Sequence, residues 1–382
     1  MEPEFDVVVV GGGPAGCATV LGLHGKGFKV ALVDKFSFPR DKVCGDAIPG
    51  PSFQALDLIN PDWGKKVREL SNSTAVQSSS AVFPFQTTFR YEWKLFAYNC
   101  KRMVFDNFIF QLVKKETQTQ IFENTSISSI VEEENHLVLT DKNGNRITTR
   151  CVVGSDGAKS VVKRCLQQVL NEKAGVFAAV RAYYTGITGC KEGENEFHYI
   201  PGVDGYFWIF PLPQGWYNVG FGLLNKKGKS AESPINVRKK LEEIIQLPTF
   251  KERFAKAEIQ GAVNGHGLPL WTKKQSISGN RFLLTGDAAN LIDPLQGHGI
   301  DKAIWSGYFA SKHIQKCMEL NRFDSAFMQN YDHKINQTLG KELRRNYFFY
   351  WILIHFPVLF KLISWLKPPQ WVVNWFIRFF KI

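Results

Sequence analysis

The apolar positions near the start of the chain do not alternate with polar ones. Asp6 to Val10 is an unbroken β-branched run, the pattern of a strand covered on both faces, as strands of parallel sheets are. It ends at Gly11-Gly12-Gly13-Pro14-Ala15-Gly16. Residues Cys17 to Gly25 then carry a predicted helix, and Lys29 to Val33 a second apolar strand closed by Asp34. Strand, glycine turn, helix and strand together have the length of one parallel crossover unit. Two later stretches also run from apolar strand to glycine turn: Cys151-Val152-Val153 into Gly154-Ser155-Asp156-Gly157, and Arg281 to Leu284 into Thr285-Gly286-Asp287, with a further helix expected after Gly299. Between them, Ser80 to Tyr98 and Val176 to Leu223 alternate in the strand manner and are rich in aromatic residues, which fits an antiparallel sheet covering a pocket.

These patterns predict an α/β domain with a parallel sheet, an α+β second domain built on an antiparallel sheet, and C-terminal helices. A chain of 382 residues is long enough for two cores. The first domain is assigned residues 1–79, 99–170 and 276–320, the sheet domain 80–98 and 171–275, and a C-terminal helical segment expected at a membrane surface 321–382.

The first glycine turn carries the clearest chemistry. A glycine pattern alone is weak, but this one lies between a strand and a helix, with the acidic Asp34 following the second strand. That context identifies a Rossmann-type dinucleotide site. Gly11 permits the tight turn, Gly13 lets the backbone approach a pyrophosphate, and Gly16 allows close helix-to-strand packing; Pro14 and Ala15 open the helix whose N-terminus faces the phosphates. Asp34, with Lys35 beside it, is expected at the adenosine ribose.

Charge and composition narrow the partners. A net charge of +12 and a pI near 9.3 suit nucleic acid, an anionic membrane or an anionic substrate, but no nucleic-acid-binding motif accompanies the basic residues. Seven cysteines at irregular spacing and eight histidines form no metal-ligand pattern, so no metal site is expected and the thiols read as reduced. The N-terminus lacks a basic region and cleavage site, which points to a cytoplasmic protein. Tyr347 to Phe360 is intensely apolar but is interrupted by Pro357 and closed by Lys361, too short for a span. Trp365, Lys367, Trp371, Trp375, Arg378 and Lys381 follow it. Residues 341–382 are therefore expected to lie on the inner face of an anionic membrane, making the protein peripheral. The alternative is a helical cap folded on the first domain.

The three strand-turn markers, in this order, resemble those of the p-hydroxybenzoate-hydroxylase-like flavoproteins over roughly residues 5 to 310. The resemblance implies FAD as the cofactor. It places Asp156 and Gly157 at the second FAD motif, Gly286 and Asp287 at the ribityl chain, and Gly297, His298, Gly299 and Ile300 near the pyrimidine edge of the flavin. It also carries a cofactor contact to Arg102, in Arg102-Met103-Val104-Phe105-Asp106. A helix start beside reduced flavin is sound chemistry, because the dipole stabilises the negative charge that reduction creates.

Two segments resemble the geranylgeranyl reductase subfamily: Lys42-Val43-Cys44-Gly45 and Tyr206-Phe207-Trp208-Ile209-Phe210-Pro211. The resemblance implies reduction of carbon-carbon double bonds in an isoprenoid or other lipid, with Cys44, Tyr206 and Trp208 as catalytic residues, Gly45 at the cofactor, and Phe210 and Pro211 in the substrate pocket. On a strand, Tyr206, Trp208 and Phe210 share one face. NAD(P)H or another donor would reduce the flavin transiently, since no second dinucleotide fingerprint is present. His298 departs from the acidic residue usual at its place. The motif Trp-x-Trp-x-Ile-Pro of flavin halogenases is not matched, and no lysine lies between Lys66 and Lys94. Two other readings remain open: an NAD(P)H-dependent flavin monooxygenase, and a flavin- and lipid-binding protein without turnover.

Overall fold

The β-branched run at the N-terminus forms the strand Phe5–Val10, near the middle of an eight-stranded sheet. The computed structural model describes residues 3–83, 87–167, 176–200, 205–223, 234–355 and 371–372. Phe5–Val10 pairs in parallel with Val30–Val33 on one side and Arg146–Gly154 on the other. Val7, Val8 and Val9 are wholly buried, which is why the run shows no alternation. Phe282–Leu284 and Gln120–Phe122 extend the parallel pairing on either side. The hairpin Ile127–Glu133 and His136–Asp141 continues antiparallel from Arg146–Gly154.

Two helices place the glycine turns beside one another. Pro14–Leu23 leaves the first turn and packs along Ile300–Leu320, which follows the third marker. Their close approach depends on missing side chains: a Cβ on Gly307 would stand 2.3 Å from the Ala15 carbonyl oxygen, and one on Gly22 would stand 2.2 Å from Ser311 Oγ.

The second sheet also has eight strands, in the order Glu258–Pro269, Val176–Thr185, Trp216–Leu223, Gly205–Leu212, Glu194–His198, Thr74–Phe83, Thr87–Asn99 and Ala47–Ile48. Its pairs are antiparallel except Glu194–His198 with Thr74–Phe83. On one face Phe207, Ile209, Val219 and Phe221 pack with Val237, Leu241 and Ile244 of the helix Pro234–Ile245. The opposite face looks toward the first domain. The boundary expected at 79/80 falls inside the strand Thr74–Phe83, because hydrogen bonding to Thr87–Asn99 continues back to Thr74.

The C-terminal part departs further from expectation. Within 321–382, the helix Ser325–Gln337 sends Met328, Tyr331 and Ile335 into the core of the first domain, and Tyr331 Oη donates to the Leu284 carbonyl at 2.9 Å. This stretch is part of that core and not a detached surface segment. The next helix, Leu339–His355, buries Leu343, Asn346 and Tyr350 while Lys341, Arg344, Phe348, Trp351 and His355 face outward. Its inner face is therefore a cap, and its outer face is basic and aromatic. The apolar run beyond residue 355 and most of the tryptophan-rich tail lie outside the described residues. Among the described residues, no helix is long and apolar enough to cross a membrane.

Candidate cofactor and substrate site

The first glycine turn is shaped by its packing. Gly11 has φ +106°, and a Cβ there would stand 2.3 Å from the Ser155 carbonyl oxygen; at Gly16 it would stand 1.9 Å from that of Gly11. Gly13 is different, because its missing side chain leaves open space up to Arg40 Nη2 at 3.4 Å. Gly13 is the N-cap of Pro14–Leu23, and no side chain caps this helix. Free N–H groups at a helix start, with a guanidinium alongside, fit a pyrophosphate. Arg40 is held there by Asp106 at 3.1 Å and by the Phe38 ring at 4.7 Å, and Phe38 stacks on Phe110 at 4.0 Å. Asp34 shapes the turn as well, accepting from the N–H groups of Gly12 at 2.6 Å and Phe36 at 2.8 Å. Lys35 is exposed, with its ammonium over the Phe36 ring.

The second and third markers converge on the same end of the sheet. Asp156 Oδ2 accepts from the Val161 N–H at 2.6 Å, while Oδ1 is buried without a partner. Burial pushes this carboxyl above its ordinary range. An orphaned acceptor beside Gly157, whose missing side chain faces open space, fits a hydroxyl-bearing chain such as the ribityl. Gly286 sits at φ +54° and donates its N–H to Ser306 Oγ at 2.9 Å. Asp287 pairs with Lys42 at 2.7 Å. Burial opposes its charge, but the Lys42 ammonium prevails and holds the carboxyl below its ordinary range.

Asp293 builds the loop before the long helix. Its Oδ1 accepts from the N–H groups of Leu295 and Gln296, both at 2.9 Å, and its Oδ2 accepts from Asn346 Nδ2 at 2.6 Å. Gly297, at φ +70°, leaves room for Tyr206 Oη, which donates to the Gln296 carbonyl at 3.1 Å. Gly299 caps Ile300–Leu320, again without a side-chain cap. His298 Nδ1 lies 3.0 Å from Asp301 Oδ1, and Lys302 Nζ donates to Asp301 Oδ2 at 2.7 Å. Burial disfavours a charged imidazole here, but Asp301 outweighs it and raises His298 above its ordinary value. The histidine at the place of a usual acid thus carries its own carboxylate partner one helical turn onward.

The aromatic wall and the cysteine loop meet beside these turns. Tyr206 and Trp208 have ring centroids 5.8 Å apart, and Trp208 and Phe210 are 6.2 Å apart, all on one face of Gly205–Leu212. The indole lies over Gly220 of the next strand, where a Cβ would stand 2.0 Å from the ring. The next residue, Pro211, is buried, and its carbonyl accepts from Asn99 Nδ2 at 2.8 Å. Gly45 presses against the wall, its Cβ direction 3.1 Å from the Phe210 ring and 3.7 Å from Trp208 Nε1. Arg102 is buried in a bidentate pair with Asp106, at 2.7 Å for each bond. Burial alone would lower Arg102, yet Asp106 and Cys44 reverse the effect and raise it.

Asp46, which follows, is fully buried at φ +65°. Its Oδ2 accepts from Tyr183 Oη and Asn218 Nδ2, both at 2.8 Å. Burial pushes its carboxyl up to about 6, against the pull of those hydrogen bonds and of Arg181 and Arg102.

Sequence reasoning overlooked Arg40, Lys42, Asp46, Tyr183, Asn218 and Gly220 as site residues. The first three stand in the same short segment as Cys44, so the signal was a density of charge around that cysteine. Asn218 and Gly220 follow only from the hairpin register, which pairs Phe210 with Asn218 and Trp208 with Gly220.

Known proteins bear on this arrangement. The chain is 27% identical over 361 residues to a digeranylgeranylglycerophospholipid reductase of Methanocella arvoryzae, covering 91% of this chain and 86% of that protein. It is 26% identical over 324 residues to a menaquinone reductase of Mycobacterium tuberculosis, covering 82% and 77%. A solved structure, a geranylgeranyl bacteriochlorophyll reductase-like protein from Thermoplasma acidophilum, superposes with a TM-score of 0.81 at 22% identity, covering 96% of this chain and 92% of that one; at that identity the likeness shows the fold. Residues 98–336 match the FAD binding domain family, and since this is well over half of the chain, the protein belongs to that family.

Proposed function

We propose that this protein is an FAD-dependent reductase of carbon-carbon double bonds in a prenyl chain carried by a lipid. The observation that carries the reading is the contact of the Cys44-Gly45 turn with the aromatic wall of Tyr206, Trp208 and Phe210. An apolar wall with a single thiol beside it suits a substrate that offers no polar handle. The curated relatives support the class, since both are named as reductases of lipids.

FAD, when bound and reduced, supplies a hydride to one carbon of the double bond. Gly11, Gly13, Gly16 and Arg40 hold its pyrophosphate, Asp34 its ribose, Asp156 and Asp287 its ribityl chain, and the helix start at Gly299 its pyrimidine edge. Cys44 gives the proton to the other carbon. Solvent then restores the thiol. Trp208 and Tyr206 face the developing positive charge with their ring faces. NAD(P)H or another transient donor returns the electrons.

The membrane reading rests on the outward stripe Lys341, Arg344, Phe348, Trp351 and His355, with Phe348 56% and Trp351 40% exposed. Basic and aromatic side chains at helical spacing suit an anionic lipid surface, from which a prenyl lipid is drawn.

The reading is tested by mixing reduced protein anaerobically with polyprenyl lipids. Flavin reoxidation with a mass gain of about two daltons per double bond supports it. Oxygen-dependent gain of a hydroxyl would make the protein a monooxygenase, and bound lipid without either change would make it a carrier.

A further inference from the structure

We propose that Asn218 is a positioning residue that fixes the separation between Cys44 and the indole of Trp208. This rests on the reading in which these two groups flank the reacting double bond.

Asn218 is fully buried in Trp216–Leu223. Its amide makes three hydrogen bonds, each to a different part of the site. Nδ2 donates to the Cys44 carbonyl at 2.8 Å and to Asp46 Oδ2 at 2.8 Å, while Oδ1 accepts from Trp208 Nε1 at 2.9 Å. Both donors of the amide are spent on the cysteine loop, and the acceptor is spent on the wall. The amide therefore acts as a bracket between a loop of the first domain and a strand of the second.

The loop end of the bracket is anchored independently. Asp46 holds a left-handed backbone conformation that non-glycine residues adopt rarely and mostly where surrounding structure enforces it. Tyr183 Oη and the Arg102 N–H, at 2.8 and 3.3 Å, hold its carboxyl from two other elements. The charged and titratable groups facing it are Arg102, Arg181, Lys101, Cys100 and Tyr183. On the wall side Gly220 lets the indole lie flat, which brings Nε1 within reach of the amide. Cys44 is thereby held at its carbonyl by Asn218. Hydrogen bonds of this kind are felt most when one partner is removed, because the remaining buried groups are left unsatisfied.

The test is hydrogen exchange on the full-length, FAD-loaded protein, followed by peptide mass spectrometry. Asn218→Leu removes all three bonds, and Asn218→Asp keeps only the acceptor for Trp208. In both, protection of residues 41–47 is expected to fall by about tenfold or more while Phe5–Val10 keeps its protection. For a prenyl lipid that the wild type reduces, kcat should fall with KM little changed. Unaltered protection at 41–47 in a variant that retains FAD overturns the proposal. If both variants lose protection throughout, Trp208→Phe decides the matter, since it removes only the indole donor: faster exchange at 41–47 supports the bracket, and no change overturns it. If no lipid is turned over by any form, the functional reading fails, but the exchange result still decides whether Asn218 holds the loop.

Discussion

Replacing Asp46 with asparagine should make the protein more resistant to heat at neutral pH relative to its behaviour in acid. In the folded chain burial lifts this carboxyl from an ordinary 3.8 to about 6, so the native state prefers the protonated form. The sign follows: the stabilisation is fully present below the unfolded value and is lost as pH rises through about 6. That rise corresponds to about 3 kcal/mol. For a chain of 382 residues that is a change of about 4 °C in Tm. Asparagine cannot ionise and escapes this loss. Its amide oxygen can still accept from Tyr183 and Asn218, while its NH2 group forfeits the 3.3 Å contact with the Arg102 N–H. That forfeit is a constant offset, independent of pH. The assay is thermal unfolding of both FAD-loaded proteins between pH 4 and pH 8. The gap Tm(D46N) minus Tm(wild type) should widen by about 3 °C between pH 4 and pH 7, with its midpoint near pH 5 and little further change above about 6. A constant gap, or one that narrows as pH rises, would refute the reasoning. It would mean that Arg102, Arg181 and the two hydrogen bonds outweigh the cost of burying the charge.

Four further outcomes are expected. Gly16→Ala would place a methyl group 1.9 Å from the Gly11 carbonyl oxygen, so the purified protein should lose its bound flavin; a yellow protein with normal FAD content would contradict the cradle. Arg40→Gln removes the guanidinium beside Gly13 and should weaken FAD by about ten- to a hundredfold in a fluorescence titration, the effect of a charge-assisted hydrogen bond. Gly220→Ala forces the indole from its seat and should abolish reduction of prenyl lipid while leaving FAD affinity unchanged, and equal loss of both would place Trp208 elsewhere in the function. Phe348→Ser with Trp351→Ser should reduce flotation with anionic vesicles without lowering Tm, because both side chains face outward.

What the sequence made legible is local. The unbroken run Phe5–Val10 and the glycine turn after it are set by neighbours in the chain, and they appear nearly as expected. So does the shared face of Tyr206, Trp208 and Phe210, which follows from strand periodicity. The rest depends on pairing at a distance. Lys42 and Asp287 are far apart in the chain, and no local pattern joins them. Asn218 reaches the site through a hairpin whose register decides which side chains stand beside Trp208. The boundary drawn at 79/80 cut a real strand because alternation is weak over its serine-rich stretch, whose edges are set by hydrogen bonds to Thr87–Asn99. The place of residues 325–337 in the core is not legible in sequence, because an amphipathic helix does not announce which partner covers its apolar face.

Surface loops usually tolerate added or missing residues, but the segment from Arg40 to Asp46 should not. Arg40 grips Asp106, Asp41 grips Arg181, Lys42 grips Asp287, Cys44 is held by Asn218, and Asp46 by Tyr183. These holds reach both domains and fall on nearly successive residues, like teeth of a key cut for one lock. One inserted residue would misalign every hold downstream of it at once, so the length of this segment, more than any single side chain in it, is the quantity that the fold cannot vary.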